Sequence, residues 1–276
     1  MIEPGDGWVD THCHLTAAEF DGDRAEVLNR ARHQGVTGFI VPGVDSESSR
    51  AAVRLAEGQD GIQAAVGVHP HHASQWSEST ENEIRNLARS EQVVAVGEIG
   101  LDYFRLLAPA EDQERAFRGQ LDLATECGLP VILHHRDSLP KMLEILAEWA
   151  SDLGDDRADR RGVLHAYSGD EPSARRAIEQ GFYIGAAGPI TFRNAADRRA
   201  LFSRLPLDRL LLETDSPYLA PHPLRGKRNE PSFLPAIGEE LARIRQTDAA
   251  RVRAETTQNA RALFPGRHGT YHRNIL

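Results

Sequence analysis

The chain has 276 residues, 40% hydrophobic and 26% charged, which suits one α/β barrel of the usual size, about 250 residues. A net charge of −9 excludes a general attraction to polyanions, so any affinity for phosphate has to come from local groups. Only two cysteines are present, Cys13 and Cys127, which is no disulfide framework, and no run reaches the roughly 18 to 20 apolar residues of a membrane span.

Residues 1–7 lack the basic and apolar regions of a secretion signal, so a cytoplasmic protein with free thiols and no membrane partner is expected. Lys occurs only at positions 141 and 227, leaving 30 of the 32 basic residues as Arg. That bias fits genome composition as well as function.

In chain order, short β-branched apolar runs are expected as strands at 8–10, 38–41, 62–68, 93–97, 131–134, 163–165, 182–186 and 210–214. Between them, segments at 24–34, 46–57, 78–89, 111–127, 139–149 and 173–180 repeat apolar residues at three and four residue spacing, the period of an amphipathic helix. Gly35, Gly58, Gly128-Leu129-Pro130 and Gly181 punctuate the helix-to-strand joins. Residues 252–264 read as a closing helix and residues 265–276 as a flexible tail. Eight alternating units imply a parallel sheet and, at this length, a single-domain (β/α)8 TIM barrel over residues 1–264, with its site at the C-terminal ends of the strands.

Those strand ends carry metal-ligand residue types. His12 and His14 are two apart on a strand, so their imidazoles share a face while Cys13 takes the other. Asp10, on the same face, suits a partner that orients a ligand imidazole. The run 93–97 delivers Glu98, a carboxylate whose burial costs several kcal/mol unless it is paired or bound to metal. A structural ion pair is the plainer account of Glu98 alone, and an ordinary rim residue the plainer account of His134 or His165 alone. Together with Asp215 on the last strand they form a set rich enough for two divalent ions about 3.5–4 Å apart, bridged by Glu98, and Glu213, two residues back on the same face, suits a partner behind the ligands. Mixed nitrogen and oxygen donors suit Mg, Zn or Mn.

The chain resembles the TatD family of metal-dependent deoxyribonucleases, within the amidohydrolase-like barrels. The resemblance is carried by Asp10-Thr11-His12-Cys13-His14-Leu15, Gly67-Val68-His69-Pro70-His71, Gly97-Glu98-Ile99-Gly100-Leu101-Asp102-Tyr103, the segment from Pro130 to Asp137, Ser168-Gly169, the segment from Glu213 to Pro221, and the segment from Arg225 to Pro231. By position it implies a metal site of His12, His14, Glu98, His134, His165 and Asp215. Two departures are His135, where a small hydroxyl residue is usual, and Tyr167, where Phe is common. His135 either adds a metal or phosphate contact or faces outward against a helix.

The resemblance further implies a 3′–5′ exodeoxyribonuclease acting on single-stranded DNA, with RNA as a further substrate, through water activated by the ions, in a monomer or weak homo-oligomer. On that reading Asp215 orients or deprotonates the water, Glu98 bridges the ions, and His69 donates to phosphate or to the leaving oxygen. Arg136 clamps phosphate, Tyr103 and Phe104 stack a base, and Arg225 and Arg228 form a basic rim with Glu230 as an internal partner. The competing readings are an amide or ester hydrolase on the same barrel, such as a D-aminoacyl-tRNA deacylase, and a non-catalytic metal-binding scaffold.

Overall fold

Eight parallel strands pair in sequence order, β1 to β8, into one sheet. They are β1 (Trp8–Asp10), β2 (Val36–Pro42), β3 (Ile62–Val66), β4 (Val93–Asp102), β5 (Val131–Arg136), β6 (Gly162–Leu164), β7 (Phe182–Ala186) and β8 (Leu210–Leu212). This is a computed structural model, and it describes residues 7–153 and 158–264. The sheet curls until its ends meet: Thr11 N donates to Leu212 O, Asp215 N donates to His12 O, and Cys13 and Ser216 form an isolated parallel bridge. The result is a (β/α)8 barrel, as the sequence leads one to expect.

The helices wrapping it are α1 (Arg24–His33), α2 (Ser46–Gly58), α3 (Glu78–Leu87), α4 (Ala110–Cys127), α5 (Leu139–Asp152), α6 (Glu171–Glu179), α7 (Ala196–Arg204), α8 (Leu234–Ile244) and α9 (Ala249–Leu263). Two of these, α7 and α8, are absent from the sequence expectation. In α7 only Leu201 and Phe202 are buried, too few to print a helical period. α8 does carry a stripe, Leu234, Ile237, Gly238 and Leu241, but Pro231 and Pro235 sit at its start and obscure it. The predicted tail, 265–276, lies outside the described residues.

The strand bounds matter for the site. β4 runs five residues past the expected end at Gly97, its residues Ile99 to Asp102 pairing with Leu133 to Arg136 of β5. Gly97 and Gly100 look like breakers in the sequence. Gly100 is instead required within the strand, because its φ of +142° disfavours any side chain and a Cβ there would collide with the carbonyl oxygen of His134. β6 and β8, conversely, stop at Leu164 and Leu212, so that His165 and the segment 213–215 stand just beyond the ladder.

Inside the barrel, Val9, Ile40, Ala65, Val94, Ala95, Ile132, Val163, Tyr183 and Leu211 form an apolar cluster closed by Ala260, Leu263 and Phe264 at the end of α9. Asn259 fixes α9 beneath the strands by donating to Leu207 O and Leu210 O, and Thr257 donates to Gly7 O. A second, larger core fills the layer between strands and helices. Strand alternation links the two ends of the interior: Ile132 is two residues before His134, Val163 two before His165, and Leu211 two before Glu213.

Candidate metal centre

Glu98 occupies the middle of the strand-end cluster and is 3% exposed. Its Oε2 lies 3.3 Å from His12 Nε2 and 3.5 Å from His14 Nε2. Its Oε1 lies 2.9 Å from His134 Nδ1, 3.0 Å from His165 Nε2 and 3.5 Å from His69 Nε2. Asp215 closes the set, with Oδ1 3.4 Å from His14 Nε2 and 3.7 Å from His12 Nε2. Each oxygen of the Glu98 carboxylate therefore has its own group of imidazoles. Burial would push the Glu98 carboxyl up, but the surrounding imidazoles of His165, His12 and His69 hold it well below the usual carboxylate range.

Several features of this cluster fit a cation. His12 Nε2 and His14 Nε2 face each other at 3.1 Å, and two lone pairs that close need a proton or a metal between them. The buried atoms His12 Nδ1, His165 Nδ1 and Glu213 Oε2 have no hydrogen-bond partner, which is costly in a site of neutral groups alone. Three trios have ligand atoms within 4.8 Å of one another: His12, His165 and Asp215; His12, His14 and Glu98; and His69, Glu98 and His134.

His69 differs from the others. Its Nδ1 accepts from His71 N at 3.1 Å, so a neutral ring carries its proton on Nε2. Burial holds its pKa well below the ordinary histidine value. A neutral imidazole with Nε2–H directed into the cluster is a hydrogen-bond donor. Gln120 steadies the approach to it, accepting from Val68 N and donating to Val68 O.

The residues behind the cluster are polar and buried. Asp10 accepts from His12 N, Thr214 N and Thr214 Oγ1, so it ties β1 to the end of β8 through main chain rather than orienting an imidazole. Glu213 accepts from Ala166 N and lies 3.6 Å from His165 Nδ1. Ala166 and Asp215 both take left-handed backbone, φ 44° and 56°, a conformation uncommon for non-glycine residues and often found at functional sites. Asn229 Nδ2 donates to Thr214 O and Tyr218 O, fixing the loop that carries Asp215.

Two site residues, Asp102 and its partner His71, were not picked out as site residues from the sequence. Asp102 Oδ2 lies 2.8 Å from His71 Nε2 and 3.3 Å from His134 Nε2, while its Oδ1 accepts from Phe104 N and Arg105 N. Those contacts hold its carboxyl well below the usual range despite burial. The available signal was the spacing of Asp102 four residues after Glu98, the same strand face, once β4 is allowed to continue.

The cluster opens into a cavity of 1130 Å³ whose walls include His71, Arg105, Arg136 and Tyr218. The substrate-facing expectations fare unequally. Arg136 stands at the wall with its guanidinium 4.3 Å over the Phe104 ring. Phe104 is 58% exposed. Arg225 lies 4.6 Å over Phe192, another wall residue. Tyr103 is turned away, donating its hydroxyl to Glu114. Arg228 is bound at Asp23, Glu230 and the Glu19 carbonyl, with Glu230 also joined to Arg30. Arg228 and Glu230 thus clasp the loops after β1 and β8; the rim cation read from sequence is part of an ion network. His135 is buried against Tyr167, with ring centroids 5.2 Å apart, and borders the cavity.

The model of TatD related DNases matches residues 9–265. The chain belongs to that family. A relative from Erwinia tasmaniensis, the "3'-5' ssDNA/RNA exonuclease TatD", is 41% identical over 261 residues, 92% of this chain and 98% of that one. The "Uncharacterized metal-dependent hydrolase YabD" of Bacillus subtilis is 38% identical over 255 residues, again 92% of this chain and 98% of the other. Among solved structures, the TatD homologue YJJV from Escherichia coli k12 superposes with a TM-score of 0.86 at 34% identity, covering 93% of this chain and 97% of its own. This TatD family member is a metal-dependent hydrolase, and the family and barrel expected from the sequence are borne out. No helix among the described residues is long and apolar enough to cross a membrane.

Proposed function

We propose that this chain is a phosphodiesterase that removes nucleotides from the 3′ end of single-stranded DNA, with RNA as a further substrate, in the cytoplasm. The observation that carries the reading is the central Glu98, with two imidazoles on one carboxylate oxygen and three on the other. His12, His14, Glu98, His134, His165 and Asp215 would hold two divalent ions, Mg, Zn or Mn. Ions bound there would supply a low-pKa water and offset charge on the phosphate. The relatives' names support single-stranded nucleic acid as the substrate.

The chain's own residues do the rest. Asp215, at the cavity wall, orients the attacking water and takes its proton on Oδ1. His69 donates a hydrogen bond from its Nε2–H to the leaving oxygen and keeps its proton, and the leaving oxygen is protonated by solvent. Arg136 donates to a non-bridging phosphate oxygen, a charge-assisted contact, while its stacking on Phe104 leaves a ring face at the mouth for a nucleobase. Single-stranded substrate suits a cavity rather than a groove, because an unpaired end can be threaded into it.

Single-stranded DNA labelled separately at its 5′ and 3′ ends tests the reading. Metal-replete protein should release the 3′ label at once and shorten the 5′-labelled strand stepwise, and EDTA should stop both. DNA left intact by metal-loaded protein would overturn the reading and redirect it to aminoacyl-tRNA and small esters or amides.

A further inference from the structure

One cation at the cavity wall has no role in the chemistry above. Arg198, in the first turn of α7, borders both the main cavity and a side groove of 660 Å³ between α5, α6 and α7. It is half-buried. Its guanidinium makes no hydrogen bond, ion pair or ring contact with any described residue. Burial correspondingly disfavours its charged form. Of the other basic side chains near the rim, Arg228 is engaged by carboxylates, Arg225 and Arg136 on aromatic rings and Arg204 on Glu171, while Arg105, also on the cavity wall, is exposed to solvent rather than half-buried. An unpaired, partly desolvated guanidinium is held at a cost, and it has five donors with nothing to receive them.

A second observation lies beside it. His135 is 94% buried, being 6% exposed, borders the same cavity, and has an Nε2 without a partner. The adjoining end of α7 is also open, since its N-cap, Ala195, provides no side-chain hydrogen bond. Free N–H groups of a first helical turn favour an anion. Asp197 on this wall and Asp170 and Glu171 along the side groove are carboxylates that work against an anion; Asp197 and Asp170 are exposed, so water screens them more than it screens Arg198, and Glu171 is paired with Arg175 and Arg204.

We propose that Arg198 and His135 form a subsite for a second phosphate of the polynucleotide, the one next to the phosphodiester at the metal centre. The inference rests on the nuclease reading and deepens it: the subsite makes the enzyme favour a polymer over a minimal phosphodiester. His135 and Arg198 line the same cavity as Glu98 and His134, and the side groove past Ser168 and Arg198 gives the chain a way out. Arg198 is a binding residue here and takes no part in bond cleavage.

The test compares wild type, Arg198→Ala and Arg198→Lys on an oligothymidylate and on bis(p-nitrophenyl) phosphate, which has no second phosphate. Arg198→Ala should raise KM for the oligonucleotide about tenfold, the size of losing one charge-assisted contact, with kcat within twofold and the small ester cleaved as by wild type. The slope of log affinity against log salt, measured on an oligothymidylate with phosphorothioate linkages at its 3′ end, should shrink by about 0.7, and Arg198→Lys should recover part of both. Equal losses on both substrates, or no loss on either, would overturn the subsite. Failure of the nuclease reading shows differently, as wild-type protein that cleaves the ester and leaves the oligonucleotide whole. The phosphorothioate binding arm then still decides on Arg198, since unchanged binding by Arg198→Ala removes it.

Discussion

The two halves of the barrel interior use the same strands for opposite purposes. Toward the N-terminal ends, Ile132, Val163 and Leu211 pack into an apolar plug sealed by Leu263 and Phe264. Two residues further along those strands the inward positions are His134, His165 and Glu213, the last two with buried atoms that lack partners. The lower half gains stability by excluding water. The upper half leaves buried polar atoms without partners in a cluster of residues able to hold a metal, the separation of stability from function expected between the two faces of such a barrel.

If that division holds, substitutions in the two halves should part cleanly into effects on activity and effects on folding. Asp215→Asn should lower kcat by about a thousandfold or more, as losing a group that handles the water's proton would, with an unchanged circular dichroism spectrum and melting profile. Residual turnover near wild type would remove Asp215 from the chemistry. In the lower half, Ile132→Ala should cost about 2–5 kcal/mol of stability in denaturant titration, while activity per folded molecule stays near wild type. Were activity to collapse with stability intact, the two halves would not be separable.

Glu213→Gln sharpens the boundary between them. Glu213 touches Ala166 N and faces His165 without reaching the cavity, so the change should weaken metal affinity about 10–100-fold, read by calorimetric titration of Mn, and lower activity at limiting metal only. The smallest effect belongs to the clasp outside the barrel. Arg228, together with Arg30, holds the Asp23 carboxyl at about 2, below its ordinary value. A depressed carboxylate adds stability above its unfolded pKa of 3.8 and loses it as pH falls through about 2. Asp23→Asn should therefore lower Tm slightly at pH 7, a difference that shrinks as pH drops from 4 toward 2. A gap that stays constant with pH would rule out ionisation as its source.

Much of this was legible in the sequence because the barrel repeats a short apolar run eight times, and in β1, β3, β4, β5, β6 and β8 a polar side chain closes it, whereas β2 and β7 end in Pro42-Gly43 and Ala186-Ala187. His12, His14, Glu98, His134, His165 and Asp215 stand out since each closes such a run. Asp102 did not, because Gly97 and Gly100 look like breakers until the close approach to His134 is known. Tyr103 and Arg228 were misplaced for a different reason. Their partners, Glu114 and Asp23, lie 11 and 205 positions away, and no local pattern reveals which charge a surface arginine will meet. Arg198 is the converse case, an arginine defined by the partner it lacks.

The central claim, that the upper half is built around two cations bridged by Glu98, is tested most directly by counting metal ions per chain in wild type and in Glu98→Gln, by mass spectrometry after titration with Mn and removal of excess. The account predicts two ions in the wild type and a loss of at least one in the variant. Two ions retained by Glu98→Gln, or none bound by a folded wild-type protein, would contradict it.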